Sequence, residues 1–342
     1  MDLPPIIPQT VGKPSRTLPV ARLNPLAQDY HDKYSTRRLA RKLVRRTYRY
    51  LHYLTIDTSG STKQIHQFGG ATWGMAALPL LHSSQTWTKK MLPVEIKLIS
   101  PTHELHVFNI ESLDTKITKC LDDFLVSICE GSSDSELDLV KLRLRKFLED
   151  KDEKTRMGAA AELFAHLYLR TAGYKQEFLF FNLEEGSIKK GFDGFFSKDA
   201  ETYLLESKSG SISSKKISHK DKLKHAYSDL EKYVSGKSEK GKNNPWKNAY
   251  NHASHIDVGT EKSIRKKIKL LQDMFDKGTF SKITEFNIIT YSTIFLNGSW
   301  DSTASSEILT DNSFVLGFNG KTIKAMCLTK SSLDSFIKYL EK

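Results

Sequence analysis

The sequence predicts an α/β or α+β fold around one mixed sheet. From Thr155 the hydrophobic periodicity runs helix, three strand-like segments, helix, and then further mixed elements. Two earlier segments, VEIKLIS and ELHVFNI, alternate well enough to form strands around the turn SPTH. A composition of 39% apolar and 10% aromatic residues over 342 positions allows a sizeable core and one large or two ordinary domains. It excludes a disordered chain.

Taken in order, residues 1–35 are rich in Pro and polar residues and read as an extended arm. In TRRLARKLVRRTYRYLHYL, Leu39, Leu43, Tyr50, Leu51 and Leu54 recur at helical spacing behind the capping residue Thr36. Arg37, Arg38, Arg41, Lys42, Arg45, Arg46 and Arg49 cover the rest of that helix, either as a solvated basic face or as a surface for phosphate or a partner. Residues 56–92 read as loop-rich. These first 92 residues form a basic N-terminal extension, and residues 93–342 form the main domain.

Within that domain a helix ends at Gly131, a second fits SELDLVKLRLRKFLEDK, and a third fits TRMGAAAELFAHLYLRTAG. Strand-like KQEFLFFNLE, GFDGFFS and TYLLESKS follow, then the helical HKDKLKHAYSDLEKYVSG. A basic helix is expected across TEKSIRKKIKLLQDMFDKG and a strand in FNIITYSTIFL. A strand, TIKAMCLT, and a helix, SLDSFIKYLEK, close the chain.

Charge and chemistry narrow the function. The formal net charge of +12 favours a polyanionic partner, nucleic acid above all. No apolar run is long enough for a membrane span, and the N-terminus lacks a signal-peptide layout. Cys120, Cys129 and Cys327 form no CxxC pair, which suits a reduced, cytoplasmic setting.

Asp193 sits in the apolar-aromatic stretch GFDGFF, and the next strand carries Glu206-Ser207-Lys208. A hairpin through SKDAE brings these together, and side-chain alternation puts Glu206 and Lys208 on one face. Two carboxylates with the Ser207 carbonyl are hard-oxygen ligands suited to Mg²⁺. A lysine beside them could orient a water or offset phosphate charge. Glu162 lies on an almost wholly apolar helix with His166 one turn on, and its burial needs a partner such as the metal or Lys208. The bland alternative is charge alternation on solvated strands.

A helix acid, an acid at the start of a strand, and Glu-x-Lys on the next resemble the PD-(D/E)XK nuclease superfamily. That resemblance implies a restriction-endonuclease-like core over about residues 155–236, with a mixed central sheet flanked by helices and Mg²⁺-dependent phosphodiester hydrolysis, Mn²⁺ being an alternative ion. It assigns Asp193, Glu206 and Glu162 to the metal and Lys208 to water activation or transition-state stabilisation. Phe192-Asp193 replaces the Pro-Asp of the superfamily's name. GAAAELFAHLYL, KKGFDGFF, LLESKSG and NNPWKNAYNHASHID are also similar to the nuclease-subunit family of the Hachiman anti-phage system, which implies DNA degradation beside a helicase partner.

Eleven lysines between Lys208 and Lys247 face four acids there, so Lys215, Lys216, Lys220 and Lys222 are candidate backbone-binding residues, with Arg265 and Lys266 in a second basic stretch. Gly236-Lys237-Ser238 lacks the earlier glycine of a phosphate-binding loop, since that position holds Glu231, so ATP-driven work would fall to a partner. His252 and His255 lack a completing zinc-ligand set. Two other expectations stay open beside a DNA nuclease: a non-catalytic nucleic-acid-binding or assembly subunit, and an RNA-cleaving toxin.

Overall fold

The computed structural model describes residues 92–180, 191–238 and 244–342. The basic helix expected over 36–54 lies outside them, as do the loop-rich stretch up to residue 91 and the last four residues of KQEFLFFNLE.

Seven strands form one mixed sheet in the order β1-β2-β7-β6-β5-β4-β3. In chain order these are β1 (Val94–Ser100), β2 (His103–Ile110), β3 (Lys175–Gln176), β4 (Gly194–Lys198), β5 (Glu201–Ser211), β6 (Asn287–Phe295) and β7 (Thr322–Lys330). The meander β3–β4–β5 is antiparallel, as is the β1–β2 hairpin, whereas β5, β6, β7 and β2 run parallel. Parallel strands need crossovers and cover on both faces. That explains β6, in which all nine residues are buried.

Helices supply the cover. The first three are α1 (Thr115–Glu130), α2 (Leu137–Glu149) and α3 (Glu153–Thr171). They are followed by α4 (His219–Val234), α5 (Pro245–Ala253), α6 (Lys262–Asp276), α7 (Thr303–Thr310) and α8 (Asp334–Leu340). Asp114, Asp152 and Ser218 cap α1, α3 and α4 by accepting backbone N–H bonds. Helix α1 stops where Gly131 takes up a φ of 73°.

Alternation along the strands divides the core. Phe196, Leu205, Ile289, Tyr291 and Met326 pack with Leu163, Phe164 and Leu167 of α3. Phe195, Leu204, Ile288 and Ala325 pack with Leu223, Tyr227 and Leu230 of α4 on the opposite face. The site's position follows from this division.

Three expectations need correction. The strand over KQEFLFFNLE is only two residues long within the described part. Phe178 enters the α4-side core and Phe180 the α3-side core, two positions apart, which an extended strand does not permit. The Phe180 N–H bonds the Ile128 carbonyl instead of a strand neighbour. Strand β4 begins at Gly194 rather than Gly191, leaving Asp193 just before it. Helices α5 and α7 were not expected, although Asn244 caps α5 and Pro245 opens it. No helix among the described residues is long and apolar enough to cross a membrane.

Candidate active site

The β4–β5 hairpin builds the site. Asp199 and Ala200 both adopt positive φ, the backbone of a tight two-residue hairpin turn. The turn fixes the register that pairs Lys198 with Glu201 and Gly194 with Leu205. One step further, Asp193 comes opposite Glu206. Because β4 has not yet begun there, Ser207 lacks a ladder partner on that side, and its N–H donates to Asp193 Oδ2 at 2.7 Å. A side-chain carboxylate thus finishes the ladder.

Along β5 the residues that share a face with Leu204 look toward α4. Glu206 and Lys208 are two of them. Lys208 Nζ lies 2.5 Å from Glu206 Oε1 and 3.0 Å from Asp229 Oδ2 on α4. Glu206 is 2% exposed, and its second oxygen, Oε2, is buried without a hydrogen-bond partner. Its register partner on β6, Thr290, likewise buries an unpartnered Oγ1.

Burial and then the charge of Asp193 push the Glu206 carboxyl well above the usual carboxylate range, against the pull of Lys208. Burial works against the Lys208 ammonium, but Glu206 and Asp193 outweigh it and hold its pKa above the ordinary lysine value. The two acids thus favour the protonated form of Lys208.

Glu162 lies away from Lys208. It lies on α3, which covers the opposite face of the sheet, and its Oε1 is 3.6 Å from His166 Nε2. The same imidazole nitrogen is 3.4 Å from the Asp193 carbonyl, and its ring packs on Phe180 and Phe196. Glu162 is linked toward Asp193 through a histidine and the backbone, while Lys208 is taken by Glu206 and Asp229. Among the described residues, no group of three or more His, Cys, Asp or Glu is arranged to hold a metal ion.

The basic residues separate into distinct places. Lys215 and Lys216 are exposed in the β5–α4 loop. Lys222 packs over the end of β5, where a Cβ on Gly210 would lie 3.1 Å from its Nζ. Burial and the charges of Lys154 and Lys208 lower its pKa. Lys220 turns away to Asp311, at 2.7 Å, and lies over the Phe314 ring. Arg265 and Lys266 ride on α6, whose Lys267 bonds Thr202 Oγ1 at the start of β5. Six residues of strand, about 20 Å, separate Thr202 from Lys208, so α6 belongs to the other end of the strand.

Asp229 is the participant that sequence reading missed. It was counted only as one of four acids among lysines, yet it lies in the apolar stripe of Leu223, Ala226, Tyr227 and Leu230 and is 7% exposed. An acid within a helix stripe was the signal, the same one that drew notice to Glu162. His252 packs on Phe178, and His255 lies 3.7 Å from Asp257. All three cysteines are buried and unpaired. Compared with protein-family models and with curated proteins, the chain matches none.

Proposed function

We propose that the chain is a Mg²⁺-dependent nuclease with a PD-(D/E)XK-type core, acting on DNA as the effector of an anti-phage system beside a helicase partner. The observation that carries the reading is the meeting of Asp193, Glu206 and Lys208 where β5 runs on past the start of β4. The mixed sheet flanked by helices, in which α3, the β3–β4–β5 meander, α4 and β6 follow one another, fits the core the resemblance implies and supports it. The defence role, the helicase and the choice of DNA rest on the resemblance alone.

The residues suit a magnesium ion. Mg²⁺ is commonly held by one or two carboxylates, with waters and substrate phosphate completing its shell. Asp193 and Glu206 are two such carboxylates, and the buried, unpartnered Glu206 Oε2 is an oxygen in want of a cation. The Ser207 carbonyl would be a third oxygen. When bound, the ion would neutralise phosphate charge and acidify a water.

The chain's own groups do the rest. Lys208 stays protonated and offsets charge on the phosphate, a task for a fixed cation in a site largely closed to water. The Ser207 N–H holds the Asp193 carboxylate in place. Lys215, Lys216 and Lys222 bind the nucleic-acid backbone without reading sequence.

One observation favours a second reading, a non-catalytic nucleic-acid-binding subunit: the Lys208 ammonium already pairs with the Glu206 carboxyl. One assay separates the readings. Plasmid, linear DNA and RNA are incubated with the protein and Mg²⁺, with and without a helicase partner. Metal-dependent cleavage that disappears in Asp193→Ala, Glu206→Ala and Lys208→Ala supports the nuclease. Unchanged cutting by all three variants refutes the site, and cleavage of RNA alone identifies a toxin-type ribonuclease.

A further inference from the structure

We propose that Asp229 is a positioning residue that takes over the Lys208 ammonium when a divalent cation engages Glu206. The inference rests on the metal reading above and gives the site a metal-free and a metal-engaged arrangement. In the structure one ammonium serves two carboxylates, at 2.5 Å from Glu206 Oε1 and 3.0 Å from Asp229 Oδ2. The Glu206 oxygen nearest the ammonium is thus engaged, while its other oxygen is buried and unpartnered.

A divalent ion drawn to Glu206 meets the Lys208 charge a few ångströms away, and in a buried site that repulsion is large. The ammonium must withdraw, and a buried lysine without a counter-ion is costly. Asp229 already holds the other side of Nζ, so withdrawal shortens an existing ion pair rather than breaking the last one.

The position of Asp229 suits this task. It sits among the apolar residues of α4, with Tyr233 one turn on and the 55% exposed His225 one turn back, 3.5 Å from the same oxygen. Glu206 and Asp193 face Lys208 from the sheet side, and Asp229 faces it from the helix side. Asp229 therefore acts through Lys208 and is not assigned to the metal.

The test measures Mn²⁺ binding by the full-length protein with electron paramagnetic resonance, without substrate. Asp229→Asn is expected to weaken binding about tenfold, within the range of coupled neighbouring residues, and Asp229→Glu to restore it. Lys208→Met removes the competing charge and tightens binding. In that background Asp229→Asn should have no further effect. An equal loss from Asp229→Asn in both backgrounds would mean direct attraction of the ion and would overturn the proposal. So would a wild-type affinity in Asp229→Asn, with the metal reading left standing. A wild-type protein that binds no Mn²⁺ overturns both. Melting in EDTA establishes that each variant is folded, and Asp229→Ser, which also removes the carboxylate, carries the comparison if Asp229→Asn is not.

Discussion

Replacing Lys330 with Met should make this protein more stable at neutral pH, and the size of the gain follows from its surroundings. Lys330 ends β7 with no solvent exposure, its Nζ donating to Ser335 Oγ at 2.7 Å above the Phe164 ring. Burial lowers its pKa from 10.5 to about 8. Below pH 8 the amine is charged in both folded and unfolded protein, and the folded state bears the full cost of burying that charge. As pH rises from 8 to 10.5 the cost fades, because the folded protein has already lost its proton and the unfolded chain now loses its own. A drop of 10.5 − 8 = 2.5 units corresponds to about 3 kcal/mol. Met keeps the volume but gives up the bond to Ser335, worth about 1 kcal/mol. The net gain at pH 7 is then about 2 kcal/mol, or roughly 4–8 °C in melting temperature for a domain of this size. Thermal melts at pH 7 and pH 10.5 decide the matter. The variant should win at pH 7 and lose its advantage at pH 10.5; a gain independent of pH, or a loss at pH 7, refutes the assignment of a strained buried amine.

Other consequences can be measured on the same preparation. Glu206→Gln keeps an acceptor for Lys208 and removes a buried carboxylate beside Asp193, so metal-free unfolding free energy should rise by about 1–2 kcal/mol. The Mg²⁺-induced shift of the wild type should vanish in that variant, and a retained shift would remove Glu206 from the metal site. Lys208→Ala should cost at least about a hundredfold in cleavage rate, the scale of removing one charge-stabilising donor. Lys215→Glu with Lys216→Glu should weaken DNA binding at all sequences and lower the salt slope by about 1.8, as two lost phosphate contacts require. Ala200→Gly relieves a left-handed alanine in the β4–β5 turn and should add about 0.5–1 kcal/mol to chemical-denaturation stability.

Much of this was legible in the residues because the informative signals were local. Alternation in TYLLESKS put Glu206 and Lys208 on one face, and they form an ion pair there. The turn residues between GFDGFF and TYLLESKS brought Asp193 to Ser207. The helices around Glu162 and Lys222 follow the periodicity and stop signals that predicted them.

What failed depended on which face an element covers. Nothing in GAAAELFAHLYL states that its helix lies across the sheet from the Glu206–Lys208 face, so Lys208 stood with a metal as a partner for Glu162, whereas the side chain beside it is His166, one turn on. Asp229 escaped for the complementary reason, since only the packing of α4 on that face turns a helix acid into a partner of Lys208. Helix α7, at eight residues, is too short to show a periodic stripe. The charges of α6 form a second basic stretch in the sequence, and only the contact with Thr202 places that stretch at the other end of β5.

The unequal arms of the β4–β5 hairpin have a consequence for how this chain tolerates change. Asp193 and Glu206 are both measured outward from Asp199 and Ala200, so the turn acts as the zero of a ruler that both acids share. One residue inserted there would shift the alignment of one arm and carry an acid to the wrong side of the sheet. The loop after Ser211 lies beyond the last graduation, and the same insertion there would leave both acids where they are. Length variation around this site is therefore open at one end of β5 and closed at the other.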